Sequence, residues 1–289
     1  MKRFLFKSIV FILTILGITL SSFLILSFSE KKVLLDEQKI IIAGDSNTEV
    51  AINDQIISSV INISRSGESY FYTYYKLRHL LEVNEHVEKV YLSFSPHNIV
   101  SKERNLFTNG KIYNNFIEYT PVIDFESIYY LFKEDKKNVF LSFMKAPFYL
   151  IKHNFSSPLW GGYIKLDRNN LANQTKNVDQ FSVYYSQKDI DILEINYLQK
   201  ISSLLHNHGV ELILINTPKW IEFFKYSNSL EVYDAVYKKE FLNIKLLDYS
   251  SLYNEKELFG DFTHLNYKGG QKFTDFFNSK ILYTKINGN

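Results

Sequence analysis

Five short apolar runs, rich in β-branched residues, alternate with longer segments of helical periodicity, and this alternation constrains the fold most. The predicted strands are Lys39–Gly44, Ser59–Ser64, Val87–Ser95, Val210–Pro218 and Ile244–Ser250. Apolar residues at helical spacing predict helices over Tyr70–Val83, Asp189–His208, Ser229–Leu242 and Asn266–Leu282. Strands that alternate with helices form a mainly parallel sheet with helices on both faces. The sequence therefore predicts an α/β three-layer sandwich with a central five-stranded sheet.

The segment from about Ser101 to Ser186 interrupts this alternation. It is rich in Asn, Tyr, Phe and Lys, and its apolar runs are short and mixed. Long segments of this kind often serve as lids or binding loops. We expect an insertion at about 101–186, part helix and part loop, over the carboxyl end of the sheet.

An apolar stretch near the N-terminus, Ser8–Ser29, contains 22 residues without a charge. A helix of this length spans the hydrocarbon core of a bilayer, which is about 30 Å thick. The stretch is longer than the apolar region of a usual signal peptide, about 7–15 residues, and no small-x-small cleavage site follows it. An uncleaved transmembrane signal anchor is therefore the favoured interpretation, and a cleaved signal is the alternative.

Basic residues precede this anchor: Lys2, Arg3 and Lys7. The positive-inside rule places that end of the helix in the cytoplasm. The sequence thus predicts a single-pass protein of the cell membrane, with residues 1–32 as the anchor. The remaining residues, 33–289, form an α/β domain that lies outside the cytoplasm, in the periplasm or at the cell exterior.

Composition excludes several classes of function. The chain has no cysteine, so disulfide scaffolds, thiolate metal sites and cysteine nucleophiles are excluded. Without Lys2, Arg3 and Lys7, 30 basic residues stand against 31 acidic residues, and this balance argues against nucleic-acid binding. His206 and His208 do not share a helical face, so they do not predict a metal site.

Ser46 follows the first predicted strand in the sequence Ala43-Gly44-Asp45-Ser46. In an open parallel sheet, ligands bind beyond the carboxyl ends of the strands. A serine at such a place is either a helix N-cap or a nucleophile, and a nucleophile needs a base. The tripeptide Gly44-Asp45-Ser46 alone favours a helix N-cap at Ser46.

A base is present near the other end of the chain, where Asp261 and His264 are three residues apart. One short turn can place that carboxylate beside the imidazole, which would then accept the proton of Ser46. The alternative is that His264 is an ordinary loop histidine and Asp261 a cap.

An acyl-transfer site also needs N–H donors for the developing oxyanion. Gly67 can bring its backbone N–H close to a ligand because it has no side chain, and Asn98 can offer a side-chain N–H. A turn glycine and a helix cap are the alternatives for these two residues.

Four blocks, IIIAGDSN, VINISRSGES, SFSPHN and DFTHLNYKGG, occur in the order and rough spacing of the SGNH, or GDSL-type, hydrolase family, which this chain resembles. The resemblance covers about 33–100 and 189–282, and implies an SGNH/flavodoxin-like fold. It implies Ser46, His264 and Asp261 as a catalytic triad, with Gly67 and Asn98 as oxyanion or substrate-binding residues. No metal or organic cofactor is implied.

The third block departs from the family pattern, because the usual Gly-x-Asn-Asp reads Ser-Pro-His-Asn here. Either Asn98 or His97 can therefore occupy the family's asparagine position. The first and last blocks match well.

The anchor, the insertion and the last block look more like the envelope branch of this family, which includes teichoic-acid D-alanyl transfer and alginate O-acetylation proteins. The resemblance implies a serine esterase or O-acyltransferase that acts on a cell-envelope glycan or an acylated small substrate. A membrane-bound acyl-donor protein is a further implied partner.

Two other interpretations remain open from the sequence. The chain can be a catalytically inactive SGNH-fold envelope protein that binds a glycan or a partner, or an assembly factor that acts through 101–186. Asn216–Lys219, at the end of the fourth predicted strand, can line the same cleft or form an ordinary loop.

Overall fold

The computed structural model describes residues 1–28, 35, 37–100, 112–152, 161–177 and 189–287. It divides into two compact units, Met1–Val33 with Arg104–Leu159, and Leu34–Glu103 with Trp160–Asn289. The predicted domain boundary lies outside the described residues, at 32 and 33. The same holds for both ends of the predicted insertion, 101 and 186. The domain division remains a prediction.

The second unit contains a five-stranded sheet in the order β2-β1-β3-β4-β5, and all its pairs are parallel. The strands are β1 (Ile40–Ala43), β2 (Val60–Asn62), β3 (Lys89–Ser93), β4 (Glu211–Asn216) and β5 (Lys245–Asp248). All five lie within the predicted strands, and each is shorter than its prediction. The expected α/β fold is confirmed.

The central strands are apolar because both faces of the sheet are covered. Every residue of β1 is buried, which explains a continuous Ile-Ile-Ile-Ala run in place of an apolar–polar alternation. On one face the ring of Tyr91, in β3, lies 4.9 Å from that of Phe277. On the other face Phe71 and Tyr197 pack edge to face at 4.8 Å. Aromatic residues thus fill both layers between sheet and helices.

Four of the eight described helices in this unit lie on segments with the predicted helical periodicity. They are α2 (Ser46–Ala51), α3 (Tyr70–Val83), α4 (Pro96–Ile99), α8 (Leu171–Lys176), α9 (Ile192–Asn207), α10 (Ile221–Tyr226), α11 (Leu230–Glu240) and α12 (Tyr267–Asn287). Two 3₁₀ turns occur at Asp54–Ile56 and Lys256–Leu258. Four helices, α2, α4, α8 and α10, were not predicted from periodicity, because each has six residues or fewer and therefore too few turns to show a period.

The strand order reverses direction between β1 and β3, because the chain builds β2 on one side of β1 and continues with β3 on the other. In open α/β sheets, ligands bind in the crevice at such a switch point, beyond the carboxyl ends of the strands. Ser46 follows β1, and the Ser-Pro-His-Asn block follows β3. The topology therefore brings two of the four sequence blocks to the same crevice.

The chain segments that precede and follow the predicted insertion meet in this unit. Val100 and Ile190 form an antiparallel bridge, and the Asp191 N–H donates to the Ile99 carbonyl at 2.9 Å. A long excursion is tolerated when its ends meet, because the entropy of loop closure grows only slowly with length.

The other unit contains four described helices, α1 (Lys2–Phe28), α5 (Ile112–Tyr119), α6 (Phe125–Glu134) and α7 (Lys136–Lys152). The first, α1, is long and apolar enough to cross a membrane, and an 18-residue window within Lys2–Ser27 has a mean hydropathy of 2.7. The described part of the predicted insertion is therefore mainly helical here.

Candidate active site

Ser46 is the first residue of α2, and Asp45 is the N-cap of that helix. The Asp45 carboxylate accepts a hydrogen bond from the Asn47 N–H at 3.0 Å, which satisfies one of the unpaired donors of the first turn. The capping function that the sequence allowed for Ser46 thus belongs to its neighbour. The hydroxyl of Ser46 is left for another partner.

Gly44 determines how closely the end of β1 approaches β3. Its φ is +133°, a region that residues with a side chain rarely adopt, and an added Cβ would lie 2.3 Å from the Ser93 Cβ. Any larger residue at this position would displace the turn that leads into Ser46. This is a physical reason for glycine directly before the Asp-Ser pair.

Ser46 and His264 meet across 218 positions of sequence, with Ser46 Oγ 2.8 Å from His264 Nε2. Ser46 is the one residue between Ile40 and Val50 that is not buried, and His264 is the one that is not buried between Asp261 and Asn266. Both reacting groups therefore face solvent from segments that are otherwise inaccessible.

Asp261 holds the other nitrogen of this histidine. His264 Nδ1 lies 2.8 Å from Asp261 Oδ1 and 3.0 Å from Oδ2, so the ring donates from Nδ1 and leaves Nε2 to accept from Ser46. The backbone N–H groups of Thr263 and His264 also donate to Oδ1, each at 2.9 Å. These bonds fix the carboxylate as well as the imidazole.

The charge of Asp261 is well stabilised. Burial raises the pKa of this carboxyl, but the hydrogen bond and charge of His264, the Thr263 N–H and the nearby Arg168 outweigh burial and hold its pKa well below the usual range. Asp261 is therefore ionised at neutral pH and can stabilise an imidazolium.

Arg168 reaches Asp261 from the segment 161–170, which the sequence analysis assigned to the insertion. Its guanidinium pairs with Asp261 Oδ2, and its side chain is 53% exposed. The same extended segment is held along the core by backbone bonds, from Ile164 N–H to the Glu49 carbonyl at 3.1 Å and from Tyr267 N–H to the Leu166 carbonyl at 2.9 Å. The segment thus contacts both the α2 helix of Ser46 and the neighbourhood of His264.

The two candidates of the third block both contact Asp45. Asn98 Nδ2 donates to Asp45 Oδ2 at 2.8 Å, and His97 Nε2 makes a short contact with the same oxygen. The side-chain oxygen of Asn98, Oδ1, accepts from the Ser95 N–H at 2.8 Å, as part of a capping box at the start of α4. One N–H of the Asn98 amide is therefore engaged, and an amide has two.

Asp45 collects donors from three elements. Besides its bonds to Asn47, His97 and Asn98, it accepts from Ser93 Oγ at 3.0 Å. Burial raises its pKa, but the charges of His97 and Lys219 and these hydrogen bonds outweigh burial and lower the pKa far below the usual range. Asp45 is a buried anion directly beside the Ser46 backbone.

Lys219 supplies a buried cation to this network. Its ammonium group, on the loop after β4, donates to Asn47 Oδ1 at 2.7 Å and to the Thr263 carbonyl at 3.3 Å. Burial lowers its pKa to about 8, although Asp45 and Asp261 favour its charged form. One side chain thus contacts the residue after Ser46 and the residue before His264.

Gly67 lies in a tight turn after β2. The Glu68 N–H donates to the Arg65 carbonyl at 3.0 Å, and Gly67 adopts a φ of +70°. The Arg65 N–H in turn donates to the Gly44 carbonyl at 3.0 Å, so this turn adjoins the loop that carries Ser46. The second sequence block therefore lies at the same end of the sheet as the first.

Lys219 and Arg168 are functional candidates that sequence reasoning did not assign. The sequence indicated only that Asn216–Lys219 could line the cleft, and it gave no signal for Arg168, whose partner is 93 residues away. Within the described ranges, no group of three or more His, Asp or Glu side chains has an arrangement suited to a metal ion.

Comparisons with known proteins give few constraints. One family model, whose description states no function, matches residues 167–285, which is less than half of the chain. No curated protein matches the chain.

Two solved structures are similar over most of the chain. One is a provisionally assigned platelet activating factor from Streptococcus pneumonia, at 12% identity and a TM-score of 0.42, with 91% of each chain covered. The other is a provisionally assigned acylhydrolase from Bacteroides fragilis, at 11% identity and a TM-score of 0.39, with 90% of this chain and 93% of that chain covered. At these TM-scores the two similarities do not support a functional assignment. The functional argument therefore rests on the geometry of the site.

Proposed function

We propose that this chain is a membrane-anchored serine esterase or O-acyltransferase of SGNH type, with Ser46, His264 and Asp261 as its catalytic triad. One observation carries the proposal: Ser46 Oγ, His264 and Asp261 form a continuous chain of 2.8 Å contacts at the carboxyl end of the sheet. Serine, imidazole and carboxylate in this order are the arrangement that acyl transfer requires.

The first half of the reaction acylates the enzyme. Ser46 Oγ attacks the carbonyl carbon of an ester or activated acyl group while His264 Nε2 accepts its proton. The imidazolium is stabilised by Asp261, which the low pKa of that carboxyl keeps ionised. His264 then donates the proton to the oxygen of the leaving group, and the acyl group remains on Ser46.

The second half uses an acceptor with an O–H group. His264 removes its proton, the acceptor oxygen attacks the acyl carbon, and the proton returns to Ser46 Oγ. When the acceptor is water the enzyme is an esterase, and when it is a glycan hydroxyl the enzyme is a transferase. Both outcomes use the same residues and require no metal ion or organic cofactor.

The oxyanion of each tetrahedral intermediate is held by N–H groups. We assign the backbone N–H of Ser46, that of Gly67 and the second N–H of the Asn98 amide to this role. The backbone bond from Arg65 to Gly44, which places the Gly67 turn beside the Ser46 loop, supports the Gly67 assignment. His97 is less suited as a donor, because its ring nitrogens contact Asp45 and Ser95.

The substrate we propose is an ester or acyl group of a cell-envelope glycan. A helix long and apolar enough to cross a membrane precedes the α/β unit, which would place the site outside the cytoplasm, with a membrane-bound acyl-donor protein as a further partner. The resemblance to envelope members of the SGNH family points to the same class of substrate.

An inactive SGNH-fold protein that binds a glycan or a partner is the second candidate. The observation that favours it is the engagement of Asn98 and His97 by Asp45, which leaves the oxyanion with fewer preorganised side-chain donors than the family pattern provides.

A fluorophosphonate probe separates the two candidates, because it reacts only with an activated serine. We expect the full-length protein in detergent to be labelled, the Ser46→Ala variant to be unlabelled, and the Ser203→Ala variant to behave as the parent. Ser203 is an exposed serine on α9 and serves as the matched control. Equal labelling of the parent and Ser46→Ala, or no labelling of folded parent, would contradict the proposal.

Hydrolysis of p-nitrophenyl acetate by the same samples then distinguishes esterase from transferase. An esterase turns over continuously in water. A transferase releases one equivalent of p-nitrophenol in a burst and continues only when a glycan acceptor is added.

A further inference from the structure

Two helices of the first unit expose an unusual number of large apolar side chains. On α6, Phe125, Tyr129 and Phe132 follow an i, i+4, i+7 spacing and are 80%, 55% and 39% exposed. On α7, Phe148 and Ile151 are 74% and 70% exposed. Single exposed apolar residues are ordinary, but large exposed apolar side chains clustered on two successive helices indicate a surface that contacts another molecule.

The opposite face of α7 is already packed. Its buried residues are Val139, Ser142, Ala146 and Leu150, which follow one another at intervals of three or four and form the inner face of the helix. The orientation of α7 about its axis is therefore fixed by packing inside the unit. The outward direction of Phe148 and Ile151 is a consequence of that packing.

The candidate membrane helix packs against this same α7. The ring of Phe23 lies 4.4 Å from that of Phe143, and Thr19 Oγ1 contacts Met144 Sδ at 3.9 Å. On α1, Thr19, Phe23 and Leu26 form a stripe of buried residues. The contact between α1 and α7 thus involves the C-terminal half of α1.

This contact determines the depth of α7 when α1 spans a bilayer. Ser8, the first residue after Lys7, marks the start of the apolar part of α1. Thr19 and Leu26 lie about 16 Å and 27 Å from it along the helix axis, in a helix that crosses about 30 Å of hydrocarbon. The side chains of Phe143 and Met144 therefore lie at the level of the distal leaflet. A helix at that depth faces lipid on every side that protein does not cover.

The charges on α7 suit the surface of that leaflet. Four lysines, Lys136, Lys137, Lys145 and Lys152, are exposed on α7, and the helix contains no acidic residue. On α6, the Lys133 ammonium lies 4.5 Å from the centre of the Tyr129 ring. Long basic side chains extend from apolar surfaces toward phosphate, and amphipathic helices with basic flanks and aromatic faces bind the membrane interface.

We propose that α6 and α7 form a second membrane-contact site, which lies in the distal leaflet beside α1 and extends to its interface. Phe125, Tyr129, Phe148 and Ile151 contact acyl chains, and Lys136 and Lys137 at the start of α7 contact anionic phosphate headgroups. The occupant of this surface is a bilayer that contains anionic phospholipid. The proposal requires α1 to span the membrane, but it does not depend on the chemistry at Ser46.

The absence of cysteine from the chain makes a direct test possible. Phe148→Cys and Ile151→Cys each introduce a single cysteine into the full-length protein. Each variant is labelled with the environment-sensitive fluorophore NBD and then reconstituted into vesicles. The vesicles contain phosphatidylcholine with or without phosphatidylglycerol, and a fraction of lipid with a doxyl quencher on its acyl chain. Leu13→Cys, in the middle of α1, is the positive control, and Leu242→Cys, 68% exposed in the other unit, is the negative control.

We expect NBD at positions 148 and 151 to be blue-shifted and quenched at least half as strongly as NBD at position 13, with no quenching at position 242. Circular dichroism verifies that each variant is folded. Quenching at 148 and 151 no stronger than at 242, in a sample in which position 13 is quenched, would overturn the proposal. That is also the result expected if a protein partner alone covers this surface.

The lysine contribution is tested by combining Phe148→Cys with Lys136→Gln and Lys137→Gln. We expect these substitutions to reduce quenching in vesicles that contain phosphatidylglycerol, with little change in phosphatidylcholine alone. Equal quenching with and without the two lysines in both lipids would contradict the assignment of anionic headgroups.

Discussion

Two aspartate–histidine pairs adjoin Ser46, and they differ in what the histidine does with its second nitrogen. His264 contacts Asp261 through Nδ1 and Ser46 Oγ through Nε2. His97 contacts Asp45 through Nε2 and Ser95 Oγ through Nδ1. Both carboxylates are buried, and both imidazoles are only partly exposed, with 19% and 24% of the side-chain surface accessible.

A buried carboxylate beside a histidine does not by itself make the histidine a catalytic base. Ser95 is 1% exposed, so a proton that His97 accepted from it could not be used on a substrate. His264 instead connects a buried anion to a serine at the surface. What distinguishes a catalytic base from a structural histidine is the serine that the second ring nitrogen contacts, and whether that serine is accessible to solvent.

The largest expected effect tests this difference directly. We expect His264→Gln to reduce p-nitrophenyl acetate hydrolysis by about 10⁴-fold, because Ser46 loses its base, and His97→Gln to reduce it by less than about tenfold. Both enzymes are assayed at saturating substrate, and their thermal unfolding is compared. A similar loss in the two variants would mean that the pairs do not differ as their contacts indicate.

The carboxylates of the two pairs provide the second test. In Asp261→Asn an amide N–H can face His264 Nδ1 and force the proton onto Nε2, so we expect a loss of up to about 10⁴-fold in kcat, no larger than the loss for His264→Gln. Asp45→Asn should instead lower the urea midpoint, because donors from four residues, Asn47, Ser93, His97 and Asn98, lose part of their acceptor.

The pH dependence of stability tests the lowered pKa values of Asp45 and Asp261. Both carboxyls have lowered pKa values, so the unfolded chain binds more protons than the folded chain in the window below about pH 4. Stability should fall as the pH drops from about 4 toward 2, and either Asn variant should show a shallower fall. A slope that both substitutions leave unchanged would contradict these pKa shifts.

Lys219 links the two sides of the site, and its lowered pKa gives stability the same sign of pH dependence in a higher pH window. Its pKa is about 8 in the folded protein, against about 10.4 in an unfolded chain, so the unfolded state binds more protons between these values. The free energy of unfolding should therefore gain a rising component from pH 8 to about 10.4. Lys219→Met should remove that component, and Lys238→Met, an exposed lysine on α11, should not.

The smallest expected effect belongs to Arg168. Its side chain is half exposed, so solvent screens the pair with Asp261, and we expect Arg168→Ala to lower kcat only a few-fold, by no more than about tenfold. Arg168→Lys should recover part of that loss, because it retains the charge without the planar fork. A loss as large as that of Asp261→Asn would instead assign Arg168 a direct role at the substrate.

Much of the fold could be predicted because it depends on local patterns. The apolar run Ile40–Ala43 and the helical spacing of Tyr70–Val83 are visible in the sequence alone, and both elements formed where they were predicted. The proximity of Ser46 and His264 was predicted for a different reason, since the order of the four blocks resembles that of a family whose strands bring them together.

The contacts of the third block could not be predicted in the same way. Whether Asn98 or His97 faces the oxyanion position depends on the start of α4. A capping box there turns the side-chain Oδ1 of Asn98 toward Ser95 and its Nδ2 toward Asp45. The oxyanion roles of Gly67 and Asn98 remain predictions.

The sequence by itself determined which segments become strands and helices, where an apolar helix long enough for a membrane lies, and which residues have the chemistry for acyl transfer. Those features depend on the nature and spacing of neighbouring residues. The tertiary structure decided that Lys219 contacts Asn47 across 172 positions, that Arg168 reaches Asp261, and that α7 packs against α1. Such contacts depend on strand register and on the directions in which elements cross, and no local pattern of residues contains that information.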